Sequence, residues 1–223
     1  MSRSRRIHDR YKRWSDGTAK ARRKNRELCK RYPFLIERDY RGNPVWYGKK
    51  KYSTTWLDDM PVGWRKSFGL MLCEEMRAEL LKFNYLDKYR IVQIKEKYGQ
   101  LRIYDNGIPH GCKAWDIIEK YSHISENVCI GCGKPDTPMI NPGWYSPLCL
   151  DCYRKTYEKR IDGNNIEQSY ENCKCDDGII PDTYSYLTGA SKDIVVVDIT
   201  ETVQAVRYKW RMEHSDYGNK INK

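Results

Sequence analysis

The chain has 223 residues, 39% of them hydrophobic and 32% charged, with a formal net charge of +11 and a mean hydropathy of -0.85. Those proportions allow a core beneath a charge-rich surface and exclude a wholly disordered polymer. No run approaches the roughly eighteen consecutive apolar residues of a membrane span, and the opening MSRSRRIHDRYKRW lacks the apolar stretch of a secretory signal, so a cytosolic protein without a membrane partner is expected.

The charge is unevenly placed. Residues 1–32 hold thirteen basic and three acidic side chains, so nearly all of the net charge lies in this segment. The cluster Ser15-Asp16-Gly17-Thr18 divides it, with Thr18 placed to cap a helix over AKARRKNRELCKRY before Pro33 stops it. Only Leu28, Cys29 and two alanines there are apolar, which predicts a protruding basic arm rather than a helix held on a core. Arg10, Lys12, Arg13, Lys20, Arg22, Arg23, Lys24, Arg26, Lys30 and Arg31, with Trp14 among them, suit phosphate neutralisation plus base stacking. A helix docking on an acidic protein, or a solubilising tail, stays open.

Residues 33–63 read as loops and short strands. From Trp64 to Phe83 the pattern becomes helical: Trp64, Phe68, Leu72, Met76 and Leu80 recur every fourth residue, Met71 and Phe83 lie beside them, and Glu74, Glu75, Arg77, Glu79 and Lys82 fill the other face. Then KYRIVQIKEKYGQLRIYDNG alternates as a β-hairpin about Gly99, closed by the turn Asp105-Asn106-Gly107. A second helix over 113–125 turns Trp115, Ile118, Tyr121 and Ile124 inward, and a short basic helix follows Cys152. Residues 162–192 read as polar loop, DIVVVDI at 193–199 as a buried strand, and TVQAVRYKW as its candidate partner.

Nine cysteines in a reducing compartment do not make a disulfide framework. Four of them, Cys129, Cys132, Cys149 and Cys152, form two C-x-x-C pairs with sixteen residues between Cys132 and Cys149, the spacing of a structural zinc site. Four sulfur ligands leave no open position for water, so the site explains folding rather than catalysis. A weaker pattern, His110 and Cys112 with Cys173 and Cys175, is either a second metal site or ordinary thiols. Cys29 is expected on the solvent side and Cys73 in the core.

No catalytic residue is identified. No histidine lies between His123 and His214 to serve a zinc-stabilised nuclease unit, and there is no GxxxxGK[ST] phosphate loop. The adjacent acids Asp58-Asp59, Glu74-Glu75 and Asp176-Asp177 face apart and read as solvated surface.

YPFLIERDYRGNP, LDDMPVGWRKSFG with CEEM, QIKEKYGQLRIYDNG and CGKP followed by GWYSPLC together resemble uncharacterised proteins encoded by bacteriophages and prophages. The resemblance covers about residues 32–153 and implies an accessory protein of the bacterial host cytosol, with the metal role on the four clamp cysteines and no catalytic residue. The expected fold is α+β: a mixed body (33–127) with a core helix and β-hairpin, a zinc ribbon or treble-clef-like module (128–161), a basic N-terminal helical arm (1–32), and a polar loop with a C-terminal β segment (162–223). Binding of nucleic acid or a nucleoprotein complex is the leading expectation. A stoichiometric binder of a host protein, such as an anti-defence protein, or sequestration of a small anionic ligand is the alternative.

Overall fold

The computed structural model describes residues 18–46, 50–158, 161, 165–175 and 200–214. Arg10, Lys12, Arg13, Trp14 and the expected strand at 193–199 lie outside the described residues. The elements run α1 (Ala19–Arg31), a 3₁₀ turn (Pro33–Leu35), α2 (Trp56–Asp59), α3 (Val62–Trp64), a π-turn (Arg65–Gly69), α4 (Leu70–Lys82), β1 (Ile91–Lys97), β2 (Gln100–Asp105), α5 (Ala114–Ser125), β3 (Met139–Ile140), β4 (Ser146–Pro147), α6 (Leu150–Tyr157), α7 (Ile166–Glu171) and α8 (Thr200–His214). The class is α+β, and the described residues form two separate two-stranded antiparallel sheets, β1-β2 and β3-β4.

The fourfold recurrence from Trp64 to Leu80 is the spine of the core, and all five residues are buried. In an α-helix a strict four-residue spacing drifts by about 40° per step. The wider π-turn between α3 and α4 resets that drift, so Trp64 and Phe68 stay on the face of Leu72, Met76 and Leu80. Phe83 ends the helix half-exposed. Glu79, expected in solvent, is buried: its carboxylate accepts from the Lys113 backbone N–H at 3.0 Å, satisfying a donor at the start of α5, and from Lys82 Nζ at 2.7 Å.

The hairpin forms as the alternation predicts, with Lys97 opposite Gln100 and Ile94 opposite Ile103. Its two turn residues, Tyr98 (φ 53°) and Gly99 (φ 80°), are both left-handed, as a two-residue turn matched to the strand twist requires. The Asp105 carboxylate then closes the far end by accepting from the Gly107 N–H at 2.8 Å. On α5 Tyr121 and Ile124 face inward, but Trp115 is 59% exposed and donates through Nε1 to Asp105 at 3.1 Å.

α1 does not protrude. Thr18 Oγ1 caps it by accepting from the Ala21 N–H at 3.1 Å, as expected, but the helix then lies on the body. Asn25 is buried and donates to the carbonyls of Tyr52 (3.0 Å) and Ser53 (3.3 Å), while Arg31 Nε and the Tyr32 hydroxyl both reach Glu74 Oε1, at 2.7 and 2.5 Å. A buried amide and an ion pair thus do what the thin apolar stripe could not. Cys29 is consequently a core thiol, 4% exposed and pushed up to about 12 by burial, rather than a solvent-side one; Cys73 is buried as expected.

Three further sequence expectations are corrected. Asp58 is buried, because it accepts from the Thr55 N–H at 2.7 Å in the capping of α2 and faces Arg65 at 3.4 Å. Part of the polar stretch after 162 is helix α7, which buries Ile166 and Tyr170. TVQAVRYKW is helical rather than a strand: Thr202 and Val206, four apart, are its buried side, and α8 is tied to the body by Arg207 to Asp136 (2.7 Å) and Lys209 to the Ser67 carbonyl (3.0 Å). Helical spacing of contacts outweighs the β-branched content there.

Glu37 lies 5% exposed, and its carboxyl is pushed up to about 7, first by burial and then by the nearby Asp59 and Asp58 charges. A folded pKa above the unfolded value near 4.5 adds stability at low pH that is lost as pH rises towards 7. Glu37→Gln should flatten that fall and leave the variant more stable than the parent at pH 8, by on the order of 3 kcal/mol; urea melts at pH 5 and pH 8 check it.

Candidate metal centre and the basic face beside it

The first cysteine pair sits on a tight knuckle. The Cys129 N–H donates to the Lys134 carbonyl at 2.8 Å and the Gly133 N–H to the Cys129 carbonyl at 2.9 Å, a closure that needs the left-handed φ of +88° at Gly133. After the β3-β4 hairpin, Cys149 occupies the N-cap of α6 and Cys152 its first turn. Helix geometry therefore aims the second pair at the first. The four Sγ atoms lie within 4.8 Å of one another, with Cys132 and Cys149 at 3.7 Å, and the Cys149 N–H donates to Cys129 Sγ at 3.4 Å. A tetrahedral ion at about 2.3 Å from each sulfur sets sulfurs about 3.8 Å apart, so the donor set fits such an ion.

Hydrogen bonds from Cys132, Cys149 and Cys152 hold the Cys129 thiol far below its usual range, while the bond to Cys129 drives Cys152 up. The cluster thus favours the charged form, the form that ligates metal, at Cys129 and Cys149, and the neutral thiol at Cys132 and Cys152.

The knuckle is keyed to the core helix. The Gly63 N–H donates to the Ile130 carbonyl at 3.0 Å, and Trp64 Nε1 donates to the Val128 carbonyl at 2.8 Å. Gly63 makes the approach possible, since a Cβ there would lie 2.1 Å from the Cys129 carbonyl oxygen. The sequence marks Gly63 only as a loop glycine; nothing local shows that it faces a carbonyl 66 residues away.

The other metal-site candidates do not assemble. Among the described residues the four clamp cysteines are the one group of three or more His, Cys, Asp or Glu side chains close enough to share an ion. His110 and Cys112 precede α5, whereas the Cys173-Cys175 segment is hydrogen-bonded along β3, with the Cys175 N–H donating to the Met139 carbonyl at 3.0 Å.

Of the expected binding residues, Lys20, Arg23, Lys24, Arg26, Lys30 and Arg31 are exposed on α1 and Arg22 is half-buried. Lys30 pairs with Glu27 at 3.1 Å, Arg31 with Glu74 at 2.6 Å, and the Arg26 guanidinium lies 5.7 Å from the Tyr52 ring centre. Between α1, the π-turn and α8 opens a cleft of about 460 Å³ whose lining includes Lys24, Lys66, Cys132, Lys209, Glu213 and His214.

Among the described residues no helix is long and apolar enough to cross a membrane. Comparison with protein-family models, curated proteins and solved structures returns no match for this chain.

Proposed function

We propose that the chain is a non-catalytic accessory protein of a bacteriophage or prophage, acting in the host cytosol, in which a treble-clef-like structural zinc module stiffens a body that binds nucleic acid or a nucleoprotein complex through its basic N-terminal segment. Zinc is the ion assigned because four thiolates in tetrahedral array are its common structural set.

The observation that carries the binding reading is the docked α1 helix. It exposes six basic residues, Lys20, Arg23, Lys24, Arg26, Lys30 and Arg31, against one acid of its own, Glu27, and the anchors at Asn25 and Glu74 hold them in a fixed array on the body. A fixed cationic array beside further basic residues supports phosphate binding with less ordering cost than a loose tail would incur.

Fluorescence anisotropy with a labelled single strand tests this directly. Affinity should fall steeply with salt, and replacing Lys20, Arg23 and Lys24 together with alanine should reduce the slope of log K against log salt by about 2. Affinity indifferent to salt, or an unchanged slope, contradicts the reading. Affinity purification that retains one protein in high salt and after nuclease treatment supports a stoichiometric binder of a host protein instead.

A further inference from the structure

The two hairpins meet at their turns. A Cβ on Gly99 would lie 2.5 Å from Met139 Cε, so the β1-β2 turn is seated against β3. The β3-β4 loop, turning at Gly143 (φ +100°), lays Trp144 over Tyr98 with ring centres 5.2 Å apart and planes 22° from parallel. Glu96 fixes the pair: its Oε1 accepts from the Gly99 N–H at 2.7 Å and from Trp144 Nε1 at 3.3 Å. Trp144 remains 47% exposed.

Lys97, over the Tyr98 ring, joins this stack to a charged face of the hairpin. Gln93, Lys95 and Lys97 share one side of β1, and their partners across the register are Tyr104, Arg102 and Gln100. These six positions hold three cations and no carboxylate. The Lys95 ammonium lies 4.6 Å from the Tyr104 ring centre and Lys97 5.4 Å from that of Tyr98, so the cations are ordered along the aromatics. Glu126, at the end of α5, accepts from Gln100.

A half-exposed indole, backed by a second ring that the Lys97 ammonium also approaches, offers a surface for a nucleobase near sites for phosphate. A duplex keeps its base faces stacked inside, which leaves single strands as the fitting class. Lysine is depleted in the cores of protein interfaces, which disfavours a protein in the same place.

We propose that Trp144, backed by Tyr98, is a base-stacking platform for single-stranded nucleic acid, whose phosphates run along Lys95, Lys97 and Arg102. The inference rests on the nucleic-acid reading above and adds a second contact surface, distant in sequence from α1.

The test measures binding of the zinc-loaded full chain to a twelve-residue thymidine oligonucleotide, to an abasic oligomer of equal length and to a duplex. The platform predicts that the base-bearing single strand binds about five- to a hundredfold tighter than the abasic one. Trp144→Ala should erase that ratio while leaving abasic affinity within about twofold, and Trp144→Phe should keep most of it. The three-alanine variant of α1 should weaken both single strands alike. Equal binding of base-bearing and abasic oligomers, or a preference that survives Trp144→Ala, overturns the platform and leaves phosphate binding intact. Binding of neither at low salt overturns both.

Discussion

Replacing Cys149 with serine should lower the thermal midpoint by about 8–16 °C, and a strong chelator should do the same to the parent chain. The two sheets are two-stranded, and β3 and β4 have only two residues each, far below what folds independently. On the proposed reading an ion supplies the order of the module, and losing a structural metal ranks with the largest single-residue effects, about 4 kcal/mol or more. At about 2–4 °C per kcal/mol for a chain of this size, the stated shift follows. Because Trp144 and the β3-β4 loop belong to the module, base preference should vanish together with the metal, while binding to an abasic strand is weakened less. Circular-dichroism melts with and without chelator decide the matter; identical midpoints contradict it.

Gly63→Ala should be nearly as damaging, by about 3 kcal/mol or more. A methyl group there would lie 2.1 Å from the Cys129 carbonyl oxygen, 2.7 Å from the Gly133 nitrogen and 2.8 Å from the Ile130 carbonyl carbon, all main-chain atoms of the knuckle. None can swing aside like a side chain, so the knuckle must leave α3, stretching the Gly63 to Ile130 and Trp64 to Val128 hydrogen bonds as it goes. Gly69→Ala, six residues on, is the matched control. Its nearest neighbours, Arg65 Cγ and Met60 Sδ, would be at 3.5 Å, an ordinary contact. That variant should be neutral or slightly stabilised, since alanine restricts the unfolded chain. Urea melts of the two variants separate a specific clash from a general intolerance of helix substitution.

The parts of the fold written in short-range pattern were legible in the sequence. Trp64 to Leu80 shows the helical period, Tyr98-Gly99 the two-residue turn, and the two C-x-x-C pairs the four sulfurs that the fold brings together. Most of the differences come from contact between distant residues. α1 was read as an arm because its apolar stripe is thin, yet Asn25 and Glu74 dock it with polar bonds that no periodicity records. Glu79 falls on the polar face of its helix pattern, yet the Lys113 N–H, 34 residues on, bonds its buried carboxylate; Asp58 is buried by local partners, the Thr55 N–H and Arg65. The segment 202–210 carries β-branched residues but is held as helix by the partners Asp136 and Ser67. The meeting of Trp144 and Tyr98 depends on how two hairpins pack, which neither hairpin encodes alone.

On the proposed reading the Trp144 platform depends on a metal centre, locked against the core helix at Gly63, that holds its module in place. X-ray absorption at the zinc edge of the purified full chain tests this most directly. The account predicts one zinc per chain with four sulfur neighbours at about 2.3 Å and no oxygen or nitrogen in the shell. A folded chain that holds no zinc, or zinc with a bound water, would contradict it.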